Sequence, residues 1–179
     1  MTDEQVLSSR RAFDGKLIRV RVDQVRLPNG NVRSREVAEH PGAVGILPVL
    51  DDGRVVLVRQ FRYAVGRSLL EIPAGTREAA EAPEVTARRE LIEETGYRAG
   101  SLDFLLRFYV SPGWADEELH IYVARELTLG EAKPEDDESL SLRVIGPEEI
   151  APLIAAGEIA DSKSIVALLA WSGARLAAR

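Results

Sequence analysis

The stretch from Gly75 to Tyr97 constrains this chain more than any other, because its pattern favours a helix while its charge opposes one. Pro83 suits a first helical position and Gly96 a left-handed C-terminal cap, so the spacing predicts a helix of about three turns between them. At roughly 100° per residue, Glu90, Glu93 and Glu94 share one arc, while Ala87, Leu91, Ile92 and Thr95 share another. Carboxylates spaced i,i+3 and i,i+4 repel by about a few tenths of a kcal/mol per pair, and in a last turn they also oppose the helix dipole. A hard divalent cation reverses both penalties, because clustered carboxylate oxygens are the donors that Mg²⁺ and Mn²⁺ prefer. An isolated E-x-x-E-E reads more often as a solvated acidic face, here with Arg88 and Arg89 as neighbours. The surrounding residues decide.

With 179 residues, the chain suffices for one domain with a sizeable core and a small appendage. No run approaches the roughly 18 apolar residues of a membrane span, and the polar N-terminus lacks a signal-peptide core, so a cytoplasmic location is expected. There is no Cys, and His40 and His120 are the only histidines, so disulfides are excluded and any metal must be held by oxygen. A net charge of −6 argues against a nucleic-acid surface, which needs a basic stripe.

Residues 6–40 are polar and strand-like, with partial alternation over Leu17–Val25 and a turn at Leu27–Asn31. They predict a small antiparallel sheet with too few apolar residues for a core of its own. From Gly42 onward the main domain begins: a buried strand over Ala43–Leu50, a turn at Asp51–Gly53 and a return strand to Gln60. Further strands are expected at Ser68–Ile72, Leu102–Val110, Leu119–Ala124 and Leu140–Ile145. Helices are expected from Pro147 to about Ala156 and from Ser162 or Ser164 onward, the last with Ile165, Leu168, Leu169 and Leu176 near one face. Periodicity alone gives α/β or α+β.

Gly75, Glu81, Arg89, Glu90, Leu91, Glu93, Glu94 and Gly96 fit, position for position, the G-x5-E-x7-R-E-U-x-E-E-x-G-U box of the Nudix hydrolases, with Tyr97 in the last apolar place. The chain therefore resembles that family. The resemblance implies an α/β fold, the Nudix α/β/α sandwich with a mixed central sheet, over residues 41–179, preceded by an N-terminal antiparallel sheet at 1–40. Outside the box, Arg59-Gln60-Phe61-Arg62, Glu71-Ile72-Pro73-Ala74-Gly75 and Pro112, 15 residues beyond Tyr97, resemble the ADP-ribose pyrophosphatase branch. That branch implies a homodimer exchanging the N-terminal sheet.

By the same correspondence Glu90 and Glu94 are metal ligands, Glu93 is a ligand or its neighbour one step out, and the Ala74 carbonyl is a further ligand. Arg89 holds the carboxylates in place, and Glu81 contacts the turn or the helix N-terminus. Glu138, in the acidic loop with Asp136 and Asp137, is the expected general base or metal-water ligand. Glu138, Glu93 and Arg89 thus form the implied catalytic set. Arg62, Glu71, Pro112, Trp114 and Glu117 are the implied substrate contacts, and Phe13 is the only aromatic before Phe61 that adenine could stack on. The implied reaction is hydrolysis of ADP-ribose to AMP and ribose 5-phosphate with Mg²⁺ or Mn²⁺, two or three ions per site, and no nucleic-acid or membrane partner. Another nucleoside diphosphate sugar such as GDP-mannose is the alternative substrate. A non-catalytic ligand sensor would be expected to lose its acidic residues, which are all present here, and an RNA-end hydrolase would need a basic surface.

Overall fold

The structure, a computed structural model, describes residues 3–78, 80–130 and 140–177, with side chains placed up to residue 173. It divides into two units, Met1–Gly42 with Tyr109–Glu118, and Ala43–Phe108 with Leu119–Arg179.

The first unit carries a three-stranded antiparallel sheet of β1 (Gln5–Asp14), β2 (Arg19–Arg26) and β3 (Val32–Glu39), in that order. The turn read at Leu27–Asn31 is present: the Gly30 amide donates to the Leu27 carbonyl at 2.9 Å, with Gly30 at φ 85°. Every residue of β1 is exposed within the chain, whereas Asp23 and Val25 of β2 are buried. The Tyr109–Glu118 segment joins this unit through a parallel bridge between Ala38 and Ala115.

The second unit is built on two sheets. One has the order β10 (Ser141–Ile145), β5 (Val55–Arg62), β6 (Arg67–Glu71), all antiparallel. The other has the order β7 (Ala74–Thr76), β4 (Ala43–Pro48), β9 (Glu118–Leu129), β8 (Tyr97–Tyr109), and is mixed: β4 runs antiparallel to β7 and parallel to β9. Three helices complete it: α1 (Pro83–Thr95), α2 (Pro147–Ala155) and α3 (Ser162–Ala177). β8 and β9 run well beyond the expected strands, and β7 is too short and glycine-containing to show a period of two.

α1 begins at Pro83 and ends at Gly96, whose φ of 75° and amide bond to the Ile92 carbonyl make the left-handed cap the sequence predicts. Its Ala87 and Leu91 pack with Val44 and Ile46 of β4 and Tyr122 and Ala124 of β9 in one buried cluster. Ile92 is only half-buried. α3 departs from the reading more clearly. Leu169 is exposed, and Ser164, Ala167, Leu168 and Trp171 are the buried stripe, spaced i, i+3, i+4, i+7 as one helix face requires. No helix among the described residues is long and apolar enough to cross a membrane.

Candidate active site

α1 packs against β4 and β7, which brings its acidic end to the Ala74–Gly75 backbone. The Ala74 amide donates to Glu94 Oε2 at 3.1 Å, and Glu94 is only 4% exposed. Glu90 lies over Gly75 so closely that a Cβ there would stand 1.8 Å from Glu90 Cδ. Glycine is required at this position by close approach, since any side chain would occupy the space of the carboxylate.

Arg89 gathers the remaining acids. Its Nη1 donates to Glu90 Oε1 at 2.7 Å and to Glu93 Oε2 at 2.8 Å. Its Nη2 and Nε donate to the two Glu81 oxygens at 3.2 and 3.4 Å. Burial pulls the Arg89 pKa down, but the bonds to Glu81, Glu93 and Glu90 more than offset it and hold the guanidinium above the usual arginine value. Glu81, left between turn and helix N-terminus by the sequence, reaches Arg89 and the Thr86 hydroxyl, which donates to it at 2.9 Å. The Arg89 bond, with that from Thr86 and against burial, holds the Glu81 carboxyl below the usual range.

The donor set of Glu90, Glu93, Glu94 and the Ala74 carbonyl is all oxygen, and the Gly75 gap admits a carboxylate to the backbone, so these residues fit a hard divalent cation. Among the described residues no acidic side chains converge as a ready-made cage, because Arg89 holds Glu90 and Glu93 while Glu94 bonds the Ala74 amide.

Arg62 and Glu71, read from the sequence as separate substrate contacts, are paired with each other. Arg62 Nε and Nη2 donate to the two Glu71 oxygens at 2.9 and 2.8 Å. Glu71 is 1% exposed and also accepts from the Lys163 ammonium, which in turn bonds Asp161 Oδ1 at 2.8 Å. Burial pushes the Glu71 carboxyl up, but the Arg62 bond and the Lys163 charge outweigh it and leave the pKa lowered. Sequence reading missed Lys163 and Asp161. The available signal was a lysine in the first turn of a helix, at the wrong end of the dipole.

Pro112, Trp114 and Glu117 belong to the first unit. There Pro112 and Trp114 help line a cleft of about 380 Å³ with Glu4, Asp23, Arg35 and Asp116. Trp114 is exposed, its carbonyl accepts the Ala38 amide at 2.8 Å, and Glu117 lies 3.9 Å from His40 Nδ1. Asp136, Asp137 and Glu138 fall outside the described residues.

The model of the NUDIX domain matches residues 39–168 of this chain. The chain belongs to the Nudix family. Ahead of the Nudix domain, residues 4–38 match the nucleoside diphosphate sugar hydrolase N-terminal domain. An ADP-ribose pyrophosphatase of Bacillus subtilis (strain 168) is 42% identical over 168 residues, which span 93% of this chain and 91% of the relative. A methanol dehydrogenase activator of Bacillus methanolicus is 39% identical over 168 residues, with the same two shares of 93% and 91%. A crystal structure of an ADP compounds hydrolase has a TM-score of 0.89, covering 99% of this chain and 97% of that one at 22% identity, a likeness that speaks for the Nudix α/β fold alone. The acidic residues of the Nudix box, Glu90, Glu93 and Glu94, are all present.

Proposed function

We propose that this chain hydrolyses the pyrophosphate bond of ADP-ribose, giving AMP and ribose 5-phosphate. The observation that carries the substrate is the 42% identity to a relative named ADP-ribose pyrophosphatase, spread over nearly the whole of both chains. The chemistry is supported by the acidic end of α1 held against the Gly75 backbone.

Water oxygen bonds to one phosphorus, the bridging oxygen leaves with the other phosphate, and the proton of the water is taken up by a carboxylate. Glu90, Glu94, Glu93 and the Ala74 carbonyl would hold the divalent cation, Mg²⁺ in our reading. When bound, it supplies charge neutralisation at the phosphates and a water of lowered pKa. Arg89 acts at one remove by holding Glu90 and Glu93 through its guanidinium. Arg62 offers an anion the edge of its guanidinium not used by Glu71, which suits a phosphate oxygen. We assign proton uptake to Glu138, with Asp136 and Asp137 next to it in the sequence. Pro112, Trp114 and Glu117 are the proposed contacts to the sugar, in a cytoplasmic homodimer that exchanges its N-terminal sheet.

A second reading, another nucleoside diphosphate sugar such as GDP-mannose, is favoured by the broader class named for residues 4–38. A phosphatase-coupled panel of ADP-ribose, GDP-mannose, ADP-glucose, NADH and diadenosine polyphosphates, with and without Mg²⁺, separates the two. A kcat/KM highest for ADP-ribose supports the first reading. Selective turnover of GDP-mannose rejects it.

A further inference from the structure

The polar run Asp161-Ser162-Lys163-Ser164 opens α3 within the second unit. A lysine in the first turn faces the positive end of the helix dipole, so helix stability alone would not select it. Asp161 offsets the mismatch by accepting the Ser164 amide at 3.1 Å on Oδ1, the oxygen that also binds Lys163. Lys163 is 12% exposed, and its ammonium reaches Glu71 on β6. The neighbouring Ser164 hydroxyl accepts the Ile72 amide at 2.9 Å. The first turn of α3 therefore grips the two residues that precede Pro73-Ala74-Gly75.

Arg62 is fixed from the other side of the same carboxylate. Its Nε and Nη2 are both spent on Glu71, while Nη1 makes no hydrogen bond among the described residues. A rigid guanidinium with one free edge is pre-organised for an anion, whereas a mobile one must be ordered on binding. Asp161 stands on the other side of the ammonium, its Oδ2 buried with no hydrogen-bond partner among the described residues. With Lys163 between them, Asp161 and Glu71 share an ammonium. Without it, the buried Glu71 carboxylate would keep Arg62 as its only partner among the described residues.

We propose that Lys163 is a positioning residue for phosphate recognition: its ammonium binds Glu71 and Asp161, so that Glu71 holds Arg62 with the Nη1 edge available to a diphosphate oxygen. This deepens the reading of Arg62 as a phosphate contact and rests on it. Lys163 does not itself touch the ligand. Its effect passes entirely through Glu71 to Arg62.

The test is calorimetric binding of inorganic pyrophosphate to the full chain, as wild type, K163M, K163R, R62M, the R62M/K163M double variant and S164A. K163M and R62M are each expected to weaken the Kd about tenfold, the size of one charge-assisted hydrogen bond. The double variant should bind no more weakly than R62M, because Lys163 has nothing to position once Arg62 is gone. K163R should recover binding to within about threefold of wild type, since it keeps the charge. S164A should lower the melting temperature and leave the Kd unchanged. Wild-type affinity in K163M, multiplying losses in the double variant, or a wild type that does not bind pyrophosphate would each overturn the proposal. Where ADP-ribose is turned over, K163M should raise KM by the same factor with kcat within about threefold. Coupled pyrophosphate binding without ADP-ribose turnover rejects the substrate reading and leaves the role of Lys163 standing.

Discussion

Replacing Arg89 by Met keeps most of the aliphatic stem and removes the cation on which Glu81, Glu90 and Glu93 converge. The three ion pairs are partly buried. Each therefore falls between the about 0–1 kcal/mol of an exposed pair and the about 3–5 kcal/mol lost when one partner of a buried pair is removed. They share one guanidinium and do not add, so the expected loss is about 2–4 kcal/mol in EDTA. With an m-value of about 2 kcal/mol per M, the urea midpoint should fall by about 1–2 M. Saturating Mg²⁺ should narrow the gap between variant and wild type, because the carboxylates freed in R89M gain most from a new cation. Urea titrations of both proteins, in EDTA and in Mg²⁺, measure this. An R89M midpoint equal to wild type in EDTA, or a gap that Mg²⁺ leaves unchanged, would refute the view that Arg89 holds this acidic cluster together.

Two further substitutions probe separate parts of the site. Gly75→Ala should lower the melting temperature and reduce kcat by roughly 10²-fold, since the added Cβ displaces the Glu90 carboxylate from its bond to Arg89; melting temperature and kcat measured together check it. Glu71 has a lowered folded-state pKa, so its contribution to stability is fully present above the unfolded value of about 4.3 and is lost as pH falls through the depressed value. Glu71→Gln should therefore be destabilised at pH 7, and urea midpoints between pH 7 and 3 should show the gap to wild type closing below about pH 4.

How far the sequence could be read depended on whether a residue's partner was local. α1 was legible because Pro83 and Gly96 mark its ends within the helix itself. Its acidic face was legible as a pattern, but the burial of Glu94 was not, since that depends on a backbone amide 20 residues away in a strand of three residues. Leu169 illustrates the same limit: apolar content suggested a face, and the packing chose the stripe of Ser164, Ala167, Leu168 and Trp171 instead. The Glu71–Lys163 contact spans 92 residues, and only the unfavourable position of a lysine at a helix start hinted at it. Arg62 and Glu71 both stand out in the sequence, yet nothing local shows that they bind each other across the β5–β6 hairpin. In each case the residue type was informative and the partner was set by topology.

The most direct test of the central claim is AMP release from ADP-ribose by the wild type and Glu94→Gln, each with and without Mg²⁺. Gln keeps the shape of Glu94 and an acceptor for the Ala74 amide, so the fold should survive while the charge is lost. The account predicts Mg²⁺-dependent turnover in the wild type and a fall in kcat of roughly 10³-fold or more in the variant. Equal turnover in both proteins, or wild-type turnover indifferent to Mg²⁺ and EDTA, would contradict it.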